Sequence, residues 1–357
     1  MCYYPPFFLY ARNMLISIHL HLQVHGSDEL ACYHPQCCQR YIDSFTGEVI
    51  VKYRGPIFET SMYGRNDPSM IIIPCGKCVG CMLDYSRSWA DRCLLELDHA
   101  GKGIFLTLTY DDLHVPITDA GHQTLDYRHV QLFNHRLRKF MKRKLNSDLK
   151  LRFYCSGEYG STTLRPHYHM IAFGLSIDDF PDFEVLSSQR NGKILYKSDF
   201  LNRLWSHGHV VVAGVSWQTC AYVARYTAKK LGLKQPLEFD QVPPFSKMSL
   251  KPGLGGYFLE DHPDYIDRFK DGEFSIWISD PDGVKKHCQI RPPKKILDEI
   301  AKKFPEDVDT FKEKNYNAYI DSLDFQLSQT DKSEFEYRQV NETYAKLRTK
   351  KLKRSDL

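Results

Sequence analysis

No segment of this chain holds the ~18–20 consecutive apolar residues that a helix needs to span a bilayer. The most apolar stretch, residues 7–24, is broken by Arg12, His19 and His21, and no small-residue cleavage site follows it. No membrane partner is expected. Charge of one sign is not in surplus either, since 48 basic residues face 44 acidic ones for a net of +4. Net charge therefore does not mark a nucleic-acid binder, and only the distribution of charge can. There is no internal repeat and no low-complexity tract. With 42% hydrophobic and 26% charged residues, the collagen, coiled-coil and disordered classes are excluded. The GxxxxGK[ST] loop that cradles ATP phosphates is missing as well.

Cysteine and tyrosine, by contrast, are plentiful. Eleven Cys form an odd set, and Cys75, Cys78 and Cys81 fall at CxxCxxC spacing. Thiols clustered so tightly in a non-secreted chain read as metal ligands or reduced cysteines rather than disulfides, and the cytoplasm is the expected compartment. Two readings stand for this cluster: zinc, with Cys32, Cys37 or Cys38 as fourth ligand, or ordinary reduced thiols.

The 357 residues allow about two domains at roughly 150 residues each. Residues 1–30 differ from the rest and read as an atypical arm, which puts the expected natural start near Ala31. Residues 31–100 form a Cys-rich segment closing in a helix, with Trp89, Cys93, Leu94 and Leu97 at helical spacing. Residues 101–235 alternate strands (104–110, 151–155, 167–173, 210–215) with helices (125–144, 217–231), an α+β core. Residues 236–357 are a C-terminal region of unknown role, helical and charged from Lys294 onward. Its last stretch, 346–354, holds six basic residues and no acid and reads as a solvated, disordered tail.

Within the core, Val130, Phe133, Leu137, Phe140 and Met141 recur at three- and four-residue steps, one buried helical face. From Arg128 to Arg152 nine Lys or Arg stand against one acid, Asp148. That run is either a solvated face or a phosphate-binding stripe built on Arg136, Arg138, Lys142 and Arg143.

The constellation with most chemistry is Glu158, His167 and His169. In a strand, residues i and i+2 point to one face, so the two imidazoles project together. A carboxylate nine residues earlier can complete a three-ligand cation site with open positions. The same HxH spacing recurs at His19/His21 and His207/His209. Only the pair at 167/169 is followed by a buried run (MIAFG) and preceded by a carboxylate; Gly208 makes the 207/209 pair look like a turn. A second element is Tyr222 and Tyr226, four apart on one helical face and flanked by Arg225, Lys229 and Lys230. They are either packing aromatics or phenol nucleophiles whose phenolates are steadied by the cations.

IFLTLTYDDLHVP, CSGEYG, RPHYHMIAFG and AYVARYTAKK occur in the order and spacing of HUH-type rolling-circle replication initiators. With CYHP, PCGKCVGC and SLKPGLGG beside them, the chain resembles the replication initiation proteins of microviruses, particularly the gokushovirus-like group, over about residues 31–256. The resemblance implies an HUH endonuclease-like central antiparallel sheet flanked by helices, with a Cys-rich N-terminal segment and a helical C-terminal region. It implies that His167, His169 and Glu158 hold Mg2+ or Mn2+ at a scissile phosphate of single-stranded origin DNA. Tyr222 or Tyr226 would then form a 5′-phosphotyrosine and free a 3′-hydroxyl, and the second Tyr would allow rejoining. Host DNA polymerase and helicase are the implied partners, in the cytoplasm of a bacterial host. Three other readings stay open on the residues alone: an Fe(II) oxygenase, an HUH relaxase or transposase, and a non-catalytic DNA-binding protein.

Overall fold

The structure, a computed structural model, describes residues 32–57, 69–145, 150–160, 163–188, 194–216, 219–220, 223, 237–270, 275–279 and 285–352. The chain divides into two units, residues 1–84 with 294–357, and residues 85–293. In the first unit, β1 (Gln36–Ile42) is the middle strand of an antiparallel sheet between β2 (Val49–Pro56) and β3 (Met70–Ile73). The CxxCxxC segment follows and runs into α1 (Val79–Ala100).

The second unit is built on seven strands, each antiparallel to its neighbour. They are β4 (Gly103–Tyr110), β5 (Arg152–Tyr159), β6 (Pro166–Phe173), β7 (Phe183–Ser188), β8 (Ile194–Ser198), β9 (Gly208–Gly214) and β10 (Phe245–Met248). Their order across the sheet is β10-β5-β6-β4-β9-β8-β7. Two helices join them, α2 (Tyr127–Lys144) and α3 (Asp199–Trp205), and a separate hairpin is formed by β11 (Ser275–Ser279) and β12 (Lys285–Gln289). The fold is thus α+β around a large antiparallel sheet.

Strand alternation decides what each face does. Ile104, Leu106, Leu108 and Tyr110 of β4 join Tyr168, Met170, Val210 and Val212 in one buried cluster. Val130, Phe133, Leu137, Phe140 and Met141 of α2 fill the same cluster, so this helix covers that face with the apolar stripe its spacing describes. Each fully buried side chain of this size contributes roughly 1.5–3 kcal/mol. The helix is started by Asp126, whose carboxylate accepts from Arg128 N. Tyr168, the residue between the two histidines, secures that start: its hydroxyl donates to Asp126 O (2.9 Å) and accepts from Asp126 N (2.8 Å).

The opposite face receives α1. Trp89 packs on Tyr154 of β5 with ring centroids 5.2 Å apart, and the buried Glu96 carboxylate pairs with Arg152 of β5. Glu96 also accepts from Gly255 N (2.8 Å), and Arg152 donates to Pro252 O (2.9 Å). The KPGLGG segment is thereby held on α1 by a buried ion pair whose polar atoms are satisfied, the condition for such a pair to be tolerated.

In the first unit the chain ends in three helices, α4 (Lys294–Ala301), α5 (Pro305–Ser328) and α6 (Glu334–Leu352). Leu323 and Ala345 share a buried cluster with Cys32, Tyr33, Cys78 and Val79. Arg338 donates to Cys32 O and to Tyr319 Oη, and His34 Nε2 lies 2.8 Å from Glu342 Oε2. The expected disordered tail from Lys346 is corrected here, because α6 continues to Leu352 and Lys346 pairs with Glu342 at 3.0 Å. A carboxylate four residues back offsets the basic run, as helical i,i+4 pairs do. Among the described residues, no helix is long and apolar enough to cross a membrane.

Tyr168→Phe is expected to lower stability by about 1–3 kcal/mol, because Asp126 N and O lose a buried partner. A shift of the urea midpoint at unchanged slope measures it; no shift would show that water replaces the hydroxyl.

Candidate active site

Glu158 of β5 is directly opposite His167 of β6, and Ser156 is opposite His169. Opposed residues of an antiparallel pair share a face, so the carboxylate and both imidazoles emerge together while Tyr168 goes to the other side. Glu158 Oε1 lies 2.9 Å from His167 Nε2 and 3.3 Å from His169 Nε2. One ligand atom from each of the three residues falls within 4.8 Å of the others.

The far nitrogens of both rings are held. His167 Nδ1 is 3.1 Å from the Arg165 carbonyl oxygen, and His169 Nδ1 is 3.2 Å from Thr107 Oγ1. A carbonyl only accepts, so the His167 hydrogen sits on Nδ1 and the Nε2 lone pair faces Glu158. Two acceptors this close repel unless a cation lies between them. Phe105 stacks on His169 at 5.7 Å and fixes its plane. Burial pushes the Glu158 carboxyl up, but hydrogen bonds from His167 and His169 and their charge outweigh it and bring it down to about 2. The group is ionised throughout the physiological range. An anionic oxygen, two oriented imidazoles and a recessed position fit a divalent cation with positions left for water or phosphate oxygens.

Thr107 and the Arg165 carbonyl are the contributors that motif reading misses. The signal for Thr107 was present in LTLTY, where polar residues alternate with a buried apolar set and so mark the site-bearing face.

The other two HxH pairs do not repeat the arrangement. His19 and His21 lie outside the described residues. His207 and His209 are separated by Gly208 at φ +142°, where an added Cβ would meet Thr109 O at 2.4 Å, within the backbone. This glycine turns the chain as it enters β9, and His207 leaves the sheet to stack on His129 with centroids 3.9 Å apart. Its Nε2 has no hydrogen-bond partner among the described residues. Burial, then the nearby His129 and His114, bring its pKa down to about 4.

Tyr222, Tyr226, Arg225, Lys229 and Lys230 lie outside the described residues. Just before and among them, Thr219, Cys220 and Val223 are helical and buried, and the Cys220 thiol is hydrogen-bonded to Cys93 of α1. The basic helix does not adjoin the three ligands. Helix α2 covers the sheet face opposite to Glu158, and Arg138, Lys142 and Arg143 are exposed on it. Arg136 is engaged elsewhere, donating to Leu204 O (2.8 Å) and Ser206 Oγ (3.0 Å) at the C-terminus of α3, where a cation satisfies the last carbonyls.

In the first unit, Cys32, Cys75, Cys78 and Cys81 bring their sulfurs within 4.8 Å of one another. Cys75 and Cys81 sulfurs are 3.9 Å apart, near the edge of about 3.8 Å for a tetrahedron with zinc–sulfur bonds of about 2.3 Å. Backbone N–H groups point at the sulfurs: Cys75 N at Cys32 Sγ (3.2 Å), Cys78 N at Cys75 Sγ (3.3 Å) and Tyr33 N at Cys78 Sγ (3.4 Å). Cys75 and Cys78 are shifted down, each chiefly by its hydrogen bond with Cys32, Cys78 to about 6. Cys37 and Cys38, the other fourth-ligand options, are not in the cluster; they lie buried on β1.

Comparison with known proteins meets the same residues. Residues 103–231, which span both histidines and both tyrosines, match the family model of the replication-associated protein ORF2. The chain is similar to phage replication proteins. It is 33% identical over 215 residues to replication-associated protein ORF2 of Spiroplasma virus 4, covering 60% of this chain and 64% of that relative. To replication-associated protein VP4 of Bdellovibrio phage phiMH2K it is 32% identical over 210 residues, 58% of this chain and 64% of the relative. To replication-associated protein ORF4 of Chlamydia phage 1 it is 33% identical over 159 residues, 44% of this chain and 38% of the relative. The chain therefore spans just under two thirds of the first two relatives. No solved structure matches. The resemblance to microvirus replication proteins that the motifs carry is borne out.

Thr107→Val is expected to weaken Mn2+ binding about tenfold, the lower end of the cost of losing an outer hydrogen bond to a metal-ligating histidine. Calorimetric titration with MnCl2 reads it directly, and an unchanged affinity would show that Phe105 alone orients His169.

Proposed function

We propose that this protein is a rolling-circle replication initiator that nicks and rejoins single-stranded origin DNA. The observation that carries the reading is the juxtaposition of Glu158 with the Nε2 atoms of His167 and His169 on the sheet face that the HUH motif occupies in such enzymes. Mg2+ or Mn2+ held by these three residues would polarise a phosphate oxygen. The nucleophile is assigned to Tyr222 or Tyr226. Its phenol loses a proton, its oxygen bonds to phosphorus, and the phosphorus–O3′ bond breaks. The products are a 5′-phosphotyrosine and a 3′-hydroxyl that a host polymerase can extend. The reverse transfer conserves the phosphodiester energy, in keeping with the missing ATP-phosphate loop, and strand opening falls to a host helicase. Arg225, Lys229 and Lys230 are assigned to phenolate and phosphate charge. Arg138, Lys142 and Arg143 remain as phosphate contacts for DNA long enough to pass beyond the sheet. The nuclease core is taken as residues 101–235, and its place of action as the cytoplasm of the infected bacterium.

Incubation with a single-stranded origin oligonucleotide and Mn2+, followed by denaturing electrophoresis, is expected to give a protein–DNA adduct. Tyr222→Phe and Tyr226→Phe should each retain the adduct but fail to release closed circles, and the double variant should form none. A helix of 3.6 residues per turn offsets residues four apart by about 40°, so both phenols can serve one phosphate. Circle release by either single variant would leave a one-tyrosine mechanism. Loss of DNA binding rather than cleavage in His167→Ala would favour a non-catalytic binder.

The four-cysteine cluster is read as a structural zinc site. Four thiolates leave no open position, and N–H groups aimed at sulfur stabilise them. About one zinc per chain is expected by elemental analysis of protein purified without added metal. Cys75→Ser should abolish it and should deprotect α5 and α6 in hydrogen exchange, since both pack on Cys32 and Cys78. A metal-free chain with full protection would return the cluster to ordinary thiols.

A further inference from the structure

The cross-strand register extends the candidate site beyond its three ligands. His167 pairs with Thr109 of β4, and Thr109 pairs with His209 of β9. Glu158, His167, Thr109 and His209 therefore stand in one row across four adjacent strands, all on the same face. The next row continues from His169 through Thr107 and Val211 to Lys197 of β8. Deeper along the strands this face is apolar and buried, at Tyr154, Ile171, Phe105 and Ala213. At the row of Glu158 it turns polar and opens. Thr109 and Val211 are half-buried, and His209 and Lys197 are exposed.

His209 is the unexplained member. Its neighbours Val210 and Val212 are buried on the other face, so it contributes nothing to that core. It forms no hydrogen bond or ion pair with any described residue. Two strand spacings, roughly 10 Å, separate it from His167. That is too far to share a cation with the Glu158 group, and about right for the nucleotide beside the one being cut. An imidazole can stack on a base and donate to a phosphate, the two contacts through which single-stranded nucleic acid is held without sequence preference.

We propose that the row from His167 through Thr109 to His209 is the track of the DNA strand across the sheet, with His209 gripping the nucleotide adjacent to the scissile phosphate. The assignment rests on the nicking role proposed above, and it adds a substrate-binding residue that no HxH motif reading selects. It also places the strand on β4 and β9, on the face opposite α2.

Binding is measured on the full chain by fluorescence anisotropy, with a fluorescein-labelled oligodeoxythymidylate and no added Mg2+ or Mn2+, so that affinity is read without cleavage. His209→Ala should bind about tenfold more weakly, the loss expected for one base–aromatic stack. His209→Tyr, which keeps a stacking ring, should restore affinity. In nicking assays the alanine variant should raise KM by a similar factor at unchanged kcat, with Mn2+ affinity and circular dichroism as in the parent. Unchanged DNA affinity, or a fall in kcat alone, overturns the track. If the parent binds, the alanine variant binds weakly and neither nicks, the nuclease reading fails while the track stands.

Discussion

The pairing of β6 between β5 and β4 is the constraint on which the site depends. One register opposes Glu158 to His167, places Thr107 beside His169, and sends Tyr168 through the sheet to hold the first turn of α2. A slip by one residue would exchange the faces. The imidazoles would enter the apolar cluster under α2, and a tyrosine would stand where the cation ligands belong. The register is secured because both faces are committed. Large apolar side chains fill one, and on the other the Glu96–Arg152 pair and the Trp89–Tyr154 contact hold α1.

Much of this was legible in the amino-acid sequence. The strand at 104–110 and the helix at 125–144 follow from unambiguous periodicities, and the apolar stripe of α2 contains every residue its spacing nominated. The i, i+2 relation of the histidines and the preceding carboxylate were readable because they depend on local geometry and one hairpin. What was not legible depends on distant pairing. Arg136 counts as one more cation in a basic run, yet its partners are carbonyls about seventy residues away at the end of α3. Strands β1, β2, β7 and β8 carry mixed, largely exposed residues with no clean alternation, so their pairing comes from partners rather than propensity. The choice of Cys32 over Cys37 and Cys38 likewise needed a third dimension. All three lie close in sequence, but only Cys32 precedes the strand that buries the other two.

The two faces of the sheet thus have different duties. The side under α2 is an ordinary core, and its basic exterior is a consequence of being the outer surface of an amphipathic helix. The other side is a core for most of its length and becomes polar only in its last two rows. A functional surface made this way costs little stability, because the rows given up to Glu158, His167, Thr109 and His209 lie where the face opens and never belonged to the packed interior.

One unit is assembled from both ends of the chain, with residues 1–84 and 294–357 separated by all of the other unit. During translation the cysteines emerge early, but Leu323, Arg338 and Ala345, which cover Cys32 and Tyr33, are made last. The seven-stranded sheet can form while the ribosome is still at work. The cysteine unit has to wait for release, so its four thiols spend most of synthesis uncovered, and any ion they capture is bound before the helices that will enclose it exist.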